Sequence, residues 1–141
     1  MSTARPIASM FGLAFLFSLT GCVMSNTPMK APQTSSAIEV PSATSTEALF
    51  SCAETTVQAL ADTDDRWDPR VTRRDVEAGV LETSNYGKEN ESGFRIRLRF
   101  VSGSGQAQVG LKGAGAYFID LGVEEAMTRF KSKMSVCLSS R

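Results

Sequence analysis

The sequence predicts an α+β fold: a two-layer sandwich in the order α-β-β-β-α, with an antiparallel three-stranded meander covered on one face by two helices. Three observations lead there. In "FRIRLRF", Phe94, Ile96, Leu98 and Phe100 alternate with Arg95, Arg97 and Arg99, the period of a strand with one covered face and one wet face. On either side of this region, residues 47–61 and 120–138 carry apolar side chains at three- and four-residue intervals, the mark of helices that each lay one stripe on a core. The returns between the strands are short and polar, which permits antiparallel neighbours and no crossover.

Taken in order, Thr44-Ser45-Thr46-Glu47 matches the capping-box pattern of a helix start. Leu49, Ala53, Val57 and Leu60 then predict a helix to about Ala61. In "DTDDRWDPR", Pro69 and the acids Asp62, Asp64, Asp65 and Asp68 predict a loop. Residues 75–84 alternate weakly and predict the first strand. After the turn "NYGKENESG", residues 94–100 form the second strand. "SGSG" at 102–105 returns the chain to a third, in which Ala107, Val109 and Leu111 face one way. Asp120 is a suitable helix cap, and Val123, Met127, Phe130, Met134 and Cys137 fall on one face behind it. The acids Glu124 and Glu125 suit the positive start of that helix.

Ahead of this domain, residues 1–6 carry one positive charge, at Arg5, and Ile7–Leu19 is almost wholly apolar. Such a run is short for a membrane span and right for the hydrophobic region of a signal peptide. It ends at Leu19-Thr20-Gly21-Cys22. These four residues behind that run resemble the lipobox of bacterial lipoproteins. The resemblance implies that residues 1–21 are a signal peptide, that the Cys22 sulfur is lipidated, and that the fatty-acylated Cys22 begins the mature chain. Lipid chains stabilise membrane attachment by roughly 0.8 kcal/mol per buried methylene, so two or three chains hold firmly. Val23, rather than an acid, follows the cysteine, which by the same resemblance implies an outer-membrane location facing the periplasm. Residues 23–44, rich in Ser, Thr, Pro and Ala, read as a linker, so that 22–44 tethers a domain at 45–141.

With Cys22 lipidated, Cys52 and Cys137 remain. Both lie on or beside the apolar stripes of the two helices, and an oxidising compartment favours a disulfide between them over two buried thiols. Composition narrows the rest. Lys plus Arg and Asp plus Glu both total 15 in 141 residues, for no net charge, which gives no reason to expect nucleic acid as a partner. Histidine is absent, so no Ser-His or Cys-His nucleophile exists, and no catalytic residue, metal ligand set or cofactor is expected. An EF-hand loop starting at Asp62 would need Gly and Glu where Trp67 and Arg73 stand. Trp67 itself reads either as a contact residue or as a cap over the sheet end. The expectation is a non-enzymatic envelope protein, held to the membrane by its lipid and serving as a structural or interaction module for another envelope protein. The alternative is a module that binds lipopolysaccharide or peptidoglycan through Arg95, Arg97 and Arg99, whose guanidinium groups suit phosphate and carboxylate. Against it, cross-strand partners such as Glu77, Thr83 and Gln108 would occupy the same groups.

Overall fold

The alternating strand at 94–100 lies at the centre of a sheet wider than the sequence suggests. The computed structural model describes residues 30–140; the leader and Cys22 lie outside the described residues. The elements are β1 (Gln33–Glu39), α1 (Thr46–Ala61), β2 (Val71–Asp75), β3 (Val80–Thr83), β4 (Gly93–Phe100), β5 (Gln106–Ala114), a single 3-10 turn (Ala116–Phe118) and α2 (Val123–Ser139). The strands form one antiparallel sheet in the order β1-β5-β4-β3-β2. The class is therefore α+β, with five strands in place of the three expected.

Both additional strands are edges. β1 falls inside the 22–44 stretch read as linker. Its sequence, QTSSAIE, puts only Ile38 fully into the core, so it carries too little apolar surface to register as a strand. What holds it is the main-chain ladder to β5, from Gln33 opposite Lys112 to Glu39 opposite Gln106. β2, VTRRD, lies between the predicted loop at 62–70 and the predicted strand at 75–84, and it is almost wholly exposed, so it carries no apolar pattern. It pairs with β3 through a bulge between Val71 and Arg73, and charge and bulge together suit an unprotected edge. β3 is shorter than the predicted 75–84, because residues 76–79 make the β2–β3 turn. Gly79 closes that turn at φ 63°, with the Phe100 carbonyl filling the space a Cβ would take.

The helices start where their caps place them. The Ser45 hydroxyl accepts from the Ala48 amide at 3.1 Å, so Ser45 rather than Thr44 is the cap of α1. At α2, one Asp120 carboxylate oxygen accepts from the amides of Gly122 and Val123 at 2.9 and 3.0 Å. Between helices and sheet lie Leu49, Phe50, Val57, Leu60, Phe130 and Met134 against Phe94, Ile96, Leu98 and Leu111, all essentially inaccessible. Each such side chain stabilises the fold by roughly 1.5–3 kcal/mol relative to exposure. Trp67 closes one end of this layer, with ring centroids 5.1 Å from Phe94 and 6.3 Å from Phe130.

Cys52 on α1 and Cys137 on α2 stand at disulfide distance, with Cα atoms 5.9 Å apart across 85 residues of chain. Closing so long a loop restricts the unfolded chain by about 4 kcal/mol in the entropic account. Replacing both cysteines with alanine is expected to lower unfolding free energy in urea by roughly 2–4 kcal/mol; an unchanged midpoint would contradict the staple. A chain that begins at Pro41 loses β1 and is expected to unfold at lower urea than one that begins at Lys30, whereas equal midpoints would make β1 a mere extension of the tether.

Candidate functional site

The sheet face turned away from the helices carries the arginine row. Strand alternation does place Arg95, Arg97 and Arg99 together on it, but they differ in what surrounds them. Residues 84–92 fold back across this face, led by Tyr86. The Tyr86 hydroxyl occupies the space that a side chain at Gly110 would need, and its ring is capped by the Arg97 guanidinium at 4.5 Å and the Lys112 ammonium at 5.1 Å. Desolvation raises the Tyr86 pKa and opposes the lowering effect of the nearby arginine charges.

Arg95 is fully buried beneath this strap. Its guanidinium donates to the carbonyls of Glu91 and Lys88, the latter at 3.0 Å, while its Nε has no partner. Among the described residues no carboxylate pairs with it. Burial pushes its pKa down, opposed by the more distant charges of Glu91 and Glu89. Arg97 donates to the Glu82 carboxylate, and Lys112 donates to Glu89 at 3.1 Å, which holds the Glu89 carboxyl below its ordinary value. Arg99 alone of the three is exposed. Alternation told which face the arginines share; it carried no information on the strap. The signal for the strap was Tyr86 in a polar stretch together with Gly110, the one polar-face position of β5 with no side chain before Lys112.

Asp64 and Asp68 serve the fold. Asp64 accepts from the Arg66 side chain at 2.8 Å and from Arg129 of α2 at 2.9 Å, and the Arg66 hydrogen bonds hold its carboxyl well below the usual range. Arg66 in turn donates to the Leu121 carbonyl at 2.9 Å, which ties this loop to the one before α2. Asp68 accepts from Arg70 and from the Ser84 hydroxyl at 2.7 Å, and the Arg70 contact is the main reason its pKa falls to about 2. Among the described residues, no group of three or more acids or cysteines is placed to hold a metal ion.

At the same end of the sheet a cleft of about 280 Å³ opens between residues 89–92 and 114–118. Glu89 and Glu91 line one side, Tyr117 and Phe118 the other. The loop that presents these rings is closed by the Gly115 amide donating to the Ile119 carbonyl at 2.8 Å. Tyr117 and Phe118 both sit in the left-handed region, at φ 56° and 60°, which costs about 1–2 kcal/mol for each non-glycine residue. Tyr117 is 88% and Ile119 62% exposed. Periodicity carries no information on this display; its signal in the sequence is two aromatics and an isoleucine between glycines in "GAGAYFIDLG".

No protein-family model matches the chain, and no curated protein matches it.

Two expectations follow from the buried and paired charges. Arg95→Ala removes both carbonyl contacts of the strap and is expected to cost roughly 2–3 kcal/mol in urea. Arg99→Ala should stay within about 0.5 kcal/mol; equal losses would mean that Arg95 does not hold the strap. Because the folded pKa of Asp68 lies below the unfolded value near 4, its contribution is complete above about pH 4 and fades as pH falls toward about 2. Asp68→Asn should flatten the acid slope of stability in that window, and an unaltered slope would contradict the pairing.

Proposed function

We propose that this chain is a bacterial envelope lipoprotein, cleaved before Cys22 and moored by fatty chains on it, whose domain is a non-enzymatic structural or interaction module in the periplasm. The observation that carries the proposal is Leu19-Thr20-Gly21-Cys22 directly behind the apolar run 7–19. A second feature supports it. Of three cysteines, one directly follows the leader and the other two stand at disulfide distance, a pairing that persists in an oxidising compartment such as the periplasm. Val23 favours the outer membrane as the final location.

An interaction role is preferred to binding of anionic envelope components for a physical reason. Arg95 is already enclosed by backbone carbonyls and Arg97 by Glu82 and Tyr86. Only Arg99 is left with an open guanidinium, and one exposed arginine grips phosphate weakly.

The anchor is tested in cells. Under globomycin, or with Cys22→Ala, the uncut precursor should accumulate, and the Cys22→Ala chain should incorporate no labelled fatty acid. A Cys22→Ala chain trimmed normally and released from the membrane would contradict the proposal.

A further inference from the structure

We propose that residues 115–121 form a second membrane contact, in which Tyr117 and Ile119 dock on a zwitterionic lipid surface at the end of the domain where the tether enters. This rests on the lipid-anchor reading above and adds an orientation to it.

The geometry begins with the chain ahead of β1. Ala31 is buried at 3% exposure, and the Pro32 carbonyl accepts from Gly113 at 2.9 Å. The tether therefore joins the domain beside residues 113–115, at the end of the sheet formed by Gln33, Gly93 and Ala114. From Cys22 to Ala31 is nine residue steps, at most roughly 30 Å of chain whatever its conformation. α2 alone, at 17 residues, is about 25 Å long. A lipid on Cys22 thus holds the entry end of the domain within about 30 Å of the headgroups, and the loop at 115–121 lies at that end while the turn at 101–105 lies at the other.

Tyr117 and Ile119 project from that near end. An amphipathic ring and a branched aliphatic chain, two residues apart on one exposed loop, suit the boundary between headgroup and acyl chain. Val101, also exposed, sits alone on the far turn. The charges choose the lipid. Glu89, Asp120, Glu124 and Glu125 are exposed around the loop, against Lys30, Lys88 and Arg66, whose guanidinium donates to the Leu121 carbonyl, so carboxylates still outnumber cations. An anionic surface would be repelled, whereas headgroups that carry an ammonium are tolerated by these carboxylates. So small a contact is weak by itself; the tether raises its effective concentration.

The test uses the mature lipidated chain on phosphatidylethanolamine and phosphatidylcholine vesicles, with hydrogen exchange read by mass spectrometry. Intact mass first establishes the acylated Cys22; its absence is a failure of the anchor and is seen before any docking is measured. With the anchor present, amides of 116–120 should exchange at least about threefold more slowly on vesicles than in the delipidated chain, while 101–105 is unaltered. Tyr117→Ser with Ile119→Ser should abolish that protection with the chain still bound to vesicles. Replacing half of the lipid with phosphatidylglycerol should weaken it. Equal exchange at both ends, protection that survives the double substitution, or protection that grows with phosphatidylglycerol would overturn the proposal. So would protection that arises without vesicles as protein concentration rises, because it would assign the loop to a second copy.

Discussion

Burial of the apolar face of β4 beneath two helices from opposite ends of the domain is the contact on which the other features depend. Phe94, Ile96, Leu98 and Phe100 offer that face, and residues of both helices share one buried cluster with it. α1 arrives before most of the sheet in sequence and α2 after all of it, so the core closes only when distant parts of the chain meet. Such non-local closure carries a large entropy cost. The pair Cys52 and Cys137, one on each helix, lies where a crosslink reduces that cost most, because it spans nearly the whole domain.

How far the sequence could be read follows from the same asymmetry. Elements that face the core were legible: α1 to its last residue, β4, β5 and α2 fall where periodicity puts them, because burial imposes a pattern on side chains. β1 and β2 were not legible, because edge strands are held by backbone hydrogen bonds and need little apolar sequence. Boundaries set by a single hydroxyl or carboxylate, as at Ser45, were displaced by one residue. The cysteine pairing was legible because both residues lay near stripes whose common destination was already clear. Trp67, left open between contact residue and cap, is a cap. The arginine row shows the limit most clearly. Its shared face follows from local geometry, but the burial of Arg95 depends on a strap whose path no local pattern records.

The polar face of the sheet is therefore two surfaces rather than one. Toward the end where β1 begins, Arg97 and Lys112 interlock with Tyr86 and Glu89 of residues 84–92. Toward the other end, Arg99, Gln108 and Gln106 remain open. The domain also differs between its ends. One collects the Arg66–Asp64–Arg129 ion pairs, the Trp67 cap and the strained aromatic loop; the other is made of plain turns at 76–79 and 101–105. Left-handed backbone at two adjacent aromatics is unfavourable, and the hydrogen bond from Gly115 to Ile119 closes the loop that holds them there.

The central claim is a folded, internally crosslinked body moored by lipid on one sulfur. Intact-mass analysis of the chain extracted from membranes under non-reducing conditions reads both parts at once. The account expects a mature chain that begins at Cys22, heavier by a diacylglyceryl group and an amide-linked acyl chain, and lighter by two hydrogens for the Cys52–Cys137 bond. A chain that begins elsewhere with no added lipid, or that retains free thiols at Cys52 and Cys137, would contradict it.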